Sequence, residues 1–354
     1  MAQTNLTTTP ASNESRHCEA QEELQTSLAV LYTIIFIPGL FGNLVALWVF
    51  FFVHSKKNSV RVFLINIALA DLLLMVCLPF RMIYHSQGNR WRLGPTLCSV
   101  VGNLFYMNMY MSITLLGMIS VDRYLKIYRG VGMDGRITTR GSIVACAVTW
   151  AGAMAFIMPI MMSKNRTQTD RCFFYRQLLE DKWKAYINIA VVVIFFLVFI
   201  ILMTSYVKIG YYLRKKSLEN PDFPSASHYK RSAKKSFFIL FLFTVCFVPY
   251  HLVRIFYIKT QITDTSCFLR GMADRANEIA LVFSAFNSCL DPVMYFLLSS
   301  SVRREVLRLA GRVLYLREVV VNRVNSSTLE MEREPVSNKG QLRISSVVID
   351  NHKS

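Results

Sequence analysis

The feature that most constrains this chain is a series of long apolar blocks that contain almost no charged residues. Seven blocks each reach the ~20 residues that an α-helix needs to cross ~30 Å of hydrocarbon at ~1.5 Å per residue. Hydrocarbon offers no hydrogen-bond partner to an open strand edge, so the blocks predict helices. Of the 354 residues, 53% are hydrophobic, above the ~45–50% of an average soluble domain. The sequence therefore predicts an all-α membrane protein with a seven-transmembrane helix bundle and a short amphipathic eighth helix.

The apolar blocks and the segments between them predict the organisation of the chain. The expected membrane helices lie at about 28–53, 61–85, 96–128, 140–162, 184–213, 232–259 and 275–299. The expected regions are an extracellular glycosylated amino terminus at 1–27, the bundle at 28–300, an amphipathic membrane-surface helix at 301–315 and a disordered cytoplasmic tail at 316–354.

Two independent patterns predict the orientation. Lysine and arginine cluster at 56–57, 126–140, 214–216 and 230–235, and cytoplasmic loops are enriched in these residues. Asn-x-Ser/Thr sequons lie on the opposite side, at Asn5, Asn13 and Asn165. We therefore expect glycosylation at these three asparagines and a plasma-membrane protein with an extracellular amino terminus. The net charge of +18 is accounted for by the bilayer and its anionic lipids, and nucleic acid is not an expected partner.

Ionisable residues inside membrane spans are costly, so each one is a candidate for function. Asp71 lies deep in the second block and Asp291 deep in the seventh. Neutral side chains in the spans supply further oxygens, namely Asn43, Asn108, Ser112, Asn287 and Ser288. Such a group can hold a small hard cation such as Na⁺, share a proton, or form a hydrogen-bond network with water. The residues alone leave these alternatives open, and an ion or proton transporter is the competing function of another class.

A set of short motifs follows the order of the blocks. These are Gly42-Asn43, Leu69-Ala70-Asp71, Cys98, Asp122-Arg123-Tyr124, Trp150, Cys246-Phe247-Val248-Pro249 and Asp291-Pro292-Val293-Met294-Tyr295. Together they resemble the rhodopsin-like (class A) G-protein-coupled receptors over roughly residues 28–312. The chain departs from that pattern in having Phe247 where a tryptophan is usual, and in having no proline in the fifth span.

The resemblance implies roles for several residues. Asp71, Asn108, Ser112, Asn287, Ser288 and Asp291 match the family's sodium pocket, and no other cofactor is implied. Coupling to a heterotrimeric G protein, of the Gi class, is expected to involve Asp122, Arg123, Tyr124, Tyr206 and Tyr295. Arrestin is expected to bind after phosphorylation of the tail. Cys98 and Cys172 match the family's disulfide, and Pro249 is expected to be a hinge in the sixth helix.

Two further cysteines, Cys18 and Cys267, both lie outside in this topology, where oxidising surroundings favour a second disulfide between them.

Charged residues within the outer half of the spans indicate the ligand. Arg81 and Arg254 each lie a turn or more inside a span, and a guanidinium suits phosphate or carboxylate, which it can hold through two bonds. Glu278 lies next to Asn277, and an acid facing arginines suggests a zwitterionic ligand with an ammonium group. Glu278 could instead simply neutralise Arg254 or Arg275.

The run from Phe247 to Arg254 resembles the purinergic-like branch of the family, whose ligands are nucleotides and lysophospholipids. Longer runs, such as 104–110 and 284–296, are similar to those of receptors for lysophosphatidylserine, so that lysophospholipid is the expected ligand. The expected contacts are Arg81, Tyr106, Tyr110, Tyr250, His251, Arg254, Asn277 and Glu278, with an apolar slot for the acyl chain beside the fifth span. A nucleotide receptor is the alternative within the fold. No nucleophile, base and oxyanion donor come together in these motifs, so an enzyme is not expected.

Overall fold

A computed structural model of the chain describes residues 22–53, 58–128, 138–162, 172–173, 182–219, 226–263, 265–299, 301–312 and 315. Within these residues, seven helices are long and apolar enough to cross a membrane. They are α1 (Glu22–Trp48, extended by a π-helical turn at Val49–Val53), α2 (Ser59–Ser86), α3 (Pro95–Tyr128), α4 (Thr139–Met162), α5 (Lys182–Glu219), α6 (Ala226–Ile262) and α7 (Cys267–Leu298). The predicted fold class is confirmed.

The helices extend beyond the apolar blocks from which they were predicted. The largest difference is at α7, which begins at Cys267 and not near residue 275. Its first turn contains Arg270 and is capped by Ser266, whose side chain accepts a hydrogen bond from the Leu269 amide at 3.4 Å. Hydropathy marks only the part of a helix that lies in hydrocarbon, so a capped polar turn at its end escapes detection.

The helices form a bundle in which α3 is central. α3 packs against α2, α4, α5 and α6, while α1 packs against α2 and α7. α4 and α5 present mostly exposed apolar side chains, including Val148 and Ile194. Large exposed apolar faces are expected where a helix meets lipid.

α1 and α7 approach each other closely. A Cβ atom added at Gly42 would collide with the ring of Pro292, so only glycine permits this spacing without movement of a helix. At the next residue, the Asn43 amide donates to the Ser288 backbone carbonyl at 3.0 Å. This carbonyl lies four residues before Pro292, whose missing N–H leaves it without its usual helical partner. Asn43 therefore satisfies a backbone acceptor that the proline releases.

The predicted Cys98–Cys172 disulfide is present, and we call the end of the bundle that carries it the disulfide end. Its sulfurs lie in an apolar cluster with Tyr84, Trp91 and Phe173. The rings of Tyr84 and Phe173 meet edge to face with centroids 5.2 Å apart. The cluster and the disulfide together hold the segment at Cys172 against α2 and α3, above the polar residues described below.

An eighth helix, α8, occupies residues 301–312, close to the predicted range of 301–315. Within it, Arg308 and Glu305 form an ion pair of 3.7 Å. Its expected position on a membrane surface stays a prediction.

Candidate functional site

A buried arginine lies between α1, α2, α3 and α7 at the disulfide end. Arg81 is only 1% exposed, and its Nη1 atom donates to the Tyr32 hydroxyl at 2.8 Å. The same atom lies 3.5 Å from the Glu278 carboxylate. The guanidinium carbon is 4.2 Å from the Phe105 ring centroid and 4.5 Å from that of Phe173. The Tyr32 ring centroid is 5.7 Å away, so Arg81 has one carboxylate partner and three aromatic neighbours. Its buried Nε atom has no hydrogen-bond partner among the residues that the structure describes.

Glu278 lies within electrostatic range of Arg254, one of the two arginines that it was expected to neutralise, as well as of Arg81. It forms an ion pair with Arg81 on α2, and its side chain remains 21% exposed. The carboxylate also lies 3.8 Å from Nε2 of His85, which is on α2 one turn after Arg81. A second cation could therefore approach Glu278 on its exposed side.

A second buried arginine lies across the bundle, between α5, α6 and α7. Arg254 is 3% exposed and donates to the Asn188 side-chain oxygen at 2.8 Å and to that of Asn277 at 3.3 Å. Its guanidinium carbon lies 4.8 Å from the Tyr257 ring centroid. Both of these hydrogen bonds go to neutral amides, and the guanidinium also lies within electrostatic range of the Glu278 carboxylate. A guanidinium suits a carboxylate or a phosphate, which it can hold through two bonds.

Aromatic side chains fill the space between the two arginines and the middle of the bundle. The ring centroids of Tyr106 and Tyr250 are 6.3 Å apart, and each is 6.0 Å from the Arg254 guanidinium carbon. Below them, His251 stacks on Phe195 with centroids 3.5 Å apart and meets Tyr110 edge to face. The predicted ligand-contact residues therefore occur together at the disulfide end, around one region lined by arginines and aromatic rings.

Several residues of this region were missed by the sequence reasoning, among them Tyr32, His85, Asn188 and Tyr257. Each lies on a helix face near Arg81 or Arg254. A polar residue in an otherwise apolar block was the available signal for Tyr32 and Asn188. Which of these faces the bundle depends on the rotation of each helix, which composition does not specify.

A polar cluster surrounds Asp71 in the middle of the bundle. Asp71 is fully buried, and its Oδ1 atom accepts from Ser288 at 2.7 Å and from Asn108 at 3.1 Å. Its Oδ2 atom lies 3.4 Å from the Tyr295 hydroxyl, whose single proton is shared between Asp71 and Asn43. The fully buried Asp291 accepts from the Asn287 amide at 2.7 Å. Helices α2, α3 and α7 therefore meet through side-chain hydrogen bonds.

Three buried oxygens in this cluster have no hydrogen-bond partner among the described residues: Ser112 Oγ, Asn287 Oδ1 and Asp291 Oδ1. Buried polar atoms are normally satisfied, so unsatisfied oxygens indicate a missing ligand or water. Carboxylate, amide and hydroxyl oxygens are suitable ligands for a hard cation. The residue set thus fits the sodium ion that the sequence pattern implied.

The Arg123 end of the bundle contains a second set of polar contacts. Asp122 is buried and accepts from the Ser59 hydroxyl at 3.1 Å. Arg123 lies within electrostatic range of Asp122 and Tyr206, and Tyr124 beside it is half-buried. The Tyr206 hydroxyl donates to Ser120 at 2.6 Å.

Tyr295, the other tyrosine implied in coupling, has its hydroxyl in a different set of contacts and donates to Asn43 at 3.2 Å. Tyr206 and Tyr295 are thus held by separate hydrogen bonds, each of which must break if its own side chain is to move towards a bound protein.

Four predicted positions lie outside the described residues. They are Cys18, the proposed partner of Cys267, and the sequon asparagines Asn5, Asn13 and Asn165. The second disulfide and the glycosylation sites stay predictions.

Comparison with known proteins gives the family. The model of the 7 transmembrane receptor (rhodopsin family) matches residues 42–295. The chain is 47% identical to probable G-protein coupled receptor 34 of Mus musculus over 299 residues, which cover 83% of this chain and 80% of the relative. It is 34% identical to a purinoceptor of Bos taurus over 288 residues (79% and 84% covered). It is 32% identical to the uracil nucleotide/cysteinyl leukotriene receptor of Homo sapiens over 297 residues (83% and 80% covered). The chain therefore belongs to the rhodopsin family of seven-transmembrane, G-protein-coupled receptors, in its purinergic-like branch.

Proposed function

We propose that this receptor responds to an anionic or zwitterionic lysophospholipid, lysophosphatidylserine in particular, and signals through a Gi-type G protein. The observation that carries the proposal is the pair of buried arginines, Arg81 and Arg254, at the disulfide end. Burying a guanidinium in a membrane bundle is costly, and anionic ligand groups compensate that cost through charge-assisted hydrogen bonds.

The headgroup of lysophosphatidylserine has one chemical group for each part of the site. Its phosphate and carboxylate are matched by the guanidinium groups of Arg254 and Arg81. Its ammonium is matched by the exposed side of Glu278, with the Asn277 amide beside it. Tyr106 and Tyr250 supply aromatic faces next to Arg254. A ligand without a cationic group would leave Glu278 uncompensated on that side.

The acyl chain requires an apolar surface that connects to the headgroup site. α4 and α5 make little direct contact in the part of the chain that the structure describes, unlike the closely packed pairs α3–α5 and α5–α6. Asn188, the partner of Arg254, lies on α5. Below it, α5 exposes the apolar side chains of Val193 and Leu197. We assign the acyl chain to this side of the bundle, beside α5.

The mechanism that fits this geometry is a population shift between two arrangements of the bundle. An agonist moves the equilibrium only as far as its affinities for the two arrangements differ. Arg254 lies five residues after Pro249 on α6, so a ligand held there acts on the helix beyond its proline hinge. Outward movement of the other end of α6 would open a cavity beside Arg123 for the G protein. Tyr206 and Tyr295 would then exchange their present hydrogen bonds for contacts in that cavity.

The cluster around Asp71 would hold sodium through Asp71, Asp291, Asn287 and Ser112, with Asn108 and Ser288 orienting the Asp71 carboxylate. A bound cation supplies the positive charge that two buried carboxylates lack. These side chains lie on α2, α3 and α7, and their hydrogen bonds favour the present packing of these helices. From the basic loops and the sequons we infer that the disulfide end lies outside the plasma membrane and Arg123 inside, where arrestin would bind the phosphorylated tail.

The test is agonist potency at an Arg254→Ala variant, with surface display measured in parallel. Loss of a charge-assisted hydrogen bond costs about 1.5–3 kcal/mol. The concentration of lysophosphatidylserine that half-inhibits cyclic AMP formation should therefore rise by about tenfold to about a hundredfold. Arg270→Ala, at a half-buried arginine on the first turn of α7, is the matched control and should retain potency. Normal display with undiminished potency at Arg254→Ala would remove Arg254 from the site.

A nucleotide is the second candidate, because two relatives of this chain are named as nucleotide receptors or purinoceptors. A nucleotide's phosphates would suit the same two arginines, but it has no ammonium for Glu278. ADP and lysophosphatidylserine should be compared on the same cells. A response to ADP with none to lysophosphatidylserine would replace the lipid by a nucleotide and leave the receptor assignment unchanged.

A further inference from the structure

Both ring nitrogens of His85 face hydrogen-bond acceptors. His85 is 2% exposed. Its Nδ1 atom lies 2.9 Å from the Asn89 side-chain oxygen. Its Nε2 atom lies 3.8 Å from the Glu278 carboxylate and has no hydrogen-bond partner within the described part of the chain. A neutral imidazole carries only one N–H, so it cannot donate to both acceptors.

The tight turn after α2 keeps His85 in this arrangement. Gly88 and Asn89 both have positive φ angles, of 68° and 59°, and the Asn89 amide donates to the Tyr84 carbonyl at 3.0 Å. This turn directs the Asn89 oxygen back onto Nδ1, which is therefore the protonated nitrogen of the neutral ring. The lone pair on Nε2 then points towards the carboxylate, and one added proton between them would convert the repulsion into an ion pair or a hydrogen bond.

The other charged and titratable groups around His85 and Glu278 come from four helices, and one of them is Arg254 on α6, which lies within electrostatic range of Glu278. The Tyr32 ring, on α1, stacks on the imidazole with centroids 5.8 Å apart. On α2, the Tyr84 ring meets the His85 ring, and the Arg81 guanidinium lies over the Tyr32 ring. On α7, Glu278 faces Nε2, and Asp274 lies one turn earlier, within electrostatic range of Glu278. Arg81 carries a permanent charge that already balances the single negative charge of Glu278, so a proton and a ligand's ammonium group together at this carboxylate would leave two positive charges uncompensated.

We propose that His85 is a positioning residue of the headgroup site. It shares a single proton with Glu278, and a ligand's ammonium group displaces that proton when it binds. This inference rests on the lysophospholipid function proposed above and adds to it a proton linkage. The proton and the ammonium compete for the same carboxylate, so acidification weakens an agonist that carries an ammonium.

The sign and the limit of the effect follow from that competition. Binding releases at most one proton, so the dissociation constant rises by at most about tenfold for each pH unit of acidification. Above the pH at which the His85–Glu278 pair loses its proton, the dissociation constant becomes constant. A purely structural histidine would alter display or stability without producing a slope in this titration.

The experiment is the binding of radiolabelled lysophosphatidylserine to the full-length receptor in nanodiscs between about pH 5.5 and about pH 7.5. We expect the wild-type dissociation constant to be about fivefold or more higher at the lower pH. His85→Gln can donate to Glu278 without titrating in this range, and His85→Phe retains the stacking on Tyr32. Both variants should show a flat profile. Asp274→Asn removes a neighbouring negative charge, so it should move the sloping part of the profile to lower pH without flattening it.

If the wild-type dissociation constant does not change with pH, the proton linkage is wrong, although the proposed ligand is unaffected. The proton linkage is also wrong if the dissociation constants of both His85 variants still change with pH. Absence of binding at every pH, in a receptor that still shows a thermal unfolding transition, would instead overturn the lysophospholipid function and this inference with it.

Discussion

Replacing Arg81 by glutamine tests the charge arrangement at the disulfide end without reference to any ligand. The substitution removes the donor to Tyr32 and leaves the carboxylate of Glu278 without its ion-pair partner. Breaking a fully buried pair costs about 3–5 kcal/mol. Glu278 is 21% exposed and the separation is 3.5 Å, which is longer than a tight charge-assisted bond. We therefore expect Arg81→Gln to lower the free energy of unfolding by about 2–4 kcal/mol.

A double variant separates the charge effect from loss of packing. With Glu278→Gln added, no carboxylate is left uncompensated, so about 1–2 kcal/mol of the loss should be recovered. The cation–π contacts of Arg81 with Phe105 and Phe173 are lost in both variants and cancel in the comparison. Arg270→Gln, at a half-buried position outside the site, should cost less than about 1 kcal/mol.

Thermal unfolding in detergent, followed with a thiol-reactive dye, measures these differences. The thiols of Cys77, Cys146 and Cys246 are buried in the folded bundle, so they react when it opens. Arg81→Gln should unfold several degrees below the wild type, with the double variant between them. Two results would refute the pairing of Arg81 with Glu278. One is an Arg81→Gln variant that melts at the same temperature as Arg270→Gln. The other is a double variant, with Glu278→Gln added, that melts below Arg81→Gln instead of above it.

Three further predictions concern other parts of the bundle. Gly42→Ala should destabilise the receptor by about 1–3 kcal/mol because its methyl group collides with α7. Gly152→Ala is the control, because its methyl group meets open space. Equal melting temperatures of these two variants would contradict the close approach of α1 and α7. Tyr206→Phe removes the hydrogen bond to Ser120 and should cost about 1 kcal/mol in thermal unfolding; no change would contradict that bond. Sodium chloride should raise the melting temperature of the unliganded wild type relative to choline chloride, and Asp71→Asn should abolish the difference; a rise that survives this substitution would place the cation elsewhere.

The parts of the receptor that could be predicted from its sequence are those in which the bilayer restricts which residues and which secondary structure are possible. Hydrocarbon requires apolar helices of about 20 residues, so the seven spans were predictable from composition. Charge inside a span is costly, so Asp71, Arg81 and Asp291 stood out without any structure. The clustering of Asp71 and Asp291 with neighbouring amides and hydroxyls is found in the structure.

The parts that could not be predicted depend on how the helices rotate and where they end. Glu278 was a candidate partner for Arg254 or Arg275, and it does lie within electrostatic range of Arg254. The ion pair with Arg81 was not predicted, and it forms because α2 and α7 face each other at this level. His85 gave no signal, because a histidine at the end of an apolar block is compatible with a solvated position. Its burial is accompanied by the turn at Gly88 and Asn89, which no apolar pattern marks.

α2 and α7 contribute both polar sites of the bundle, and this gives a physical connection between them. Arg81 follows Asp71 by ten residues on α2 and Asp291 follows Glu278 by thirteen on α7, which places the sites about 15–20 Å apart along the helices. The upper contact joins opposite charges, whereas the lower one brings together two carboxylates that require a cation or a proton. A ligand whose ammonium group pairs with Glu278 would weaken the Arg81–Glu278 contact between α2 and α7. The attraction between these helices would then depend more on the cluster around Asp71. Coupling of this kind is reciprocal, so we expect the proposed cation at the Asp71 cluster to change the affinity of the proposed ligand at the disulfide end.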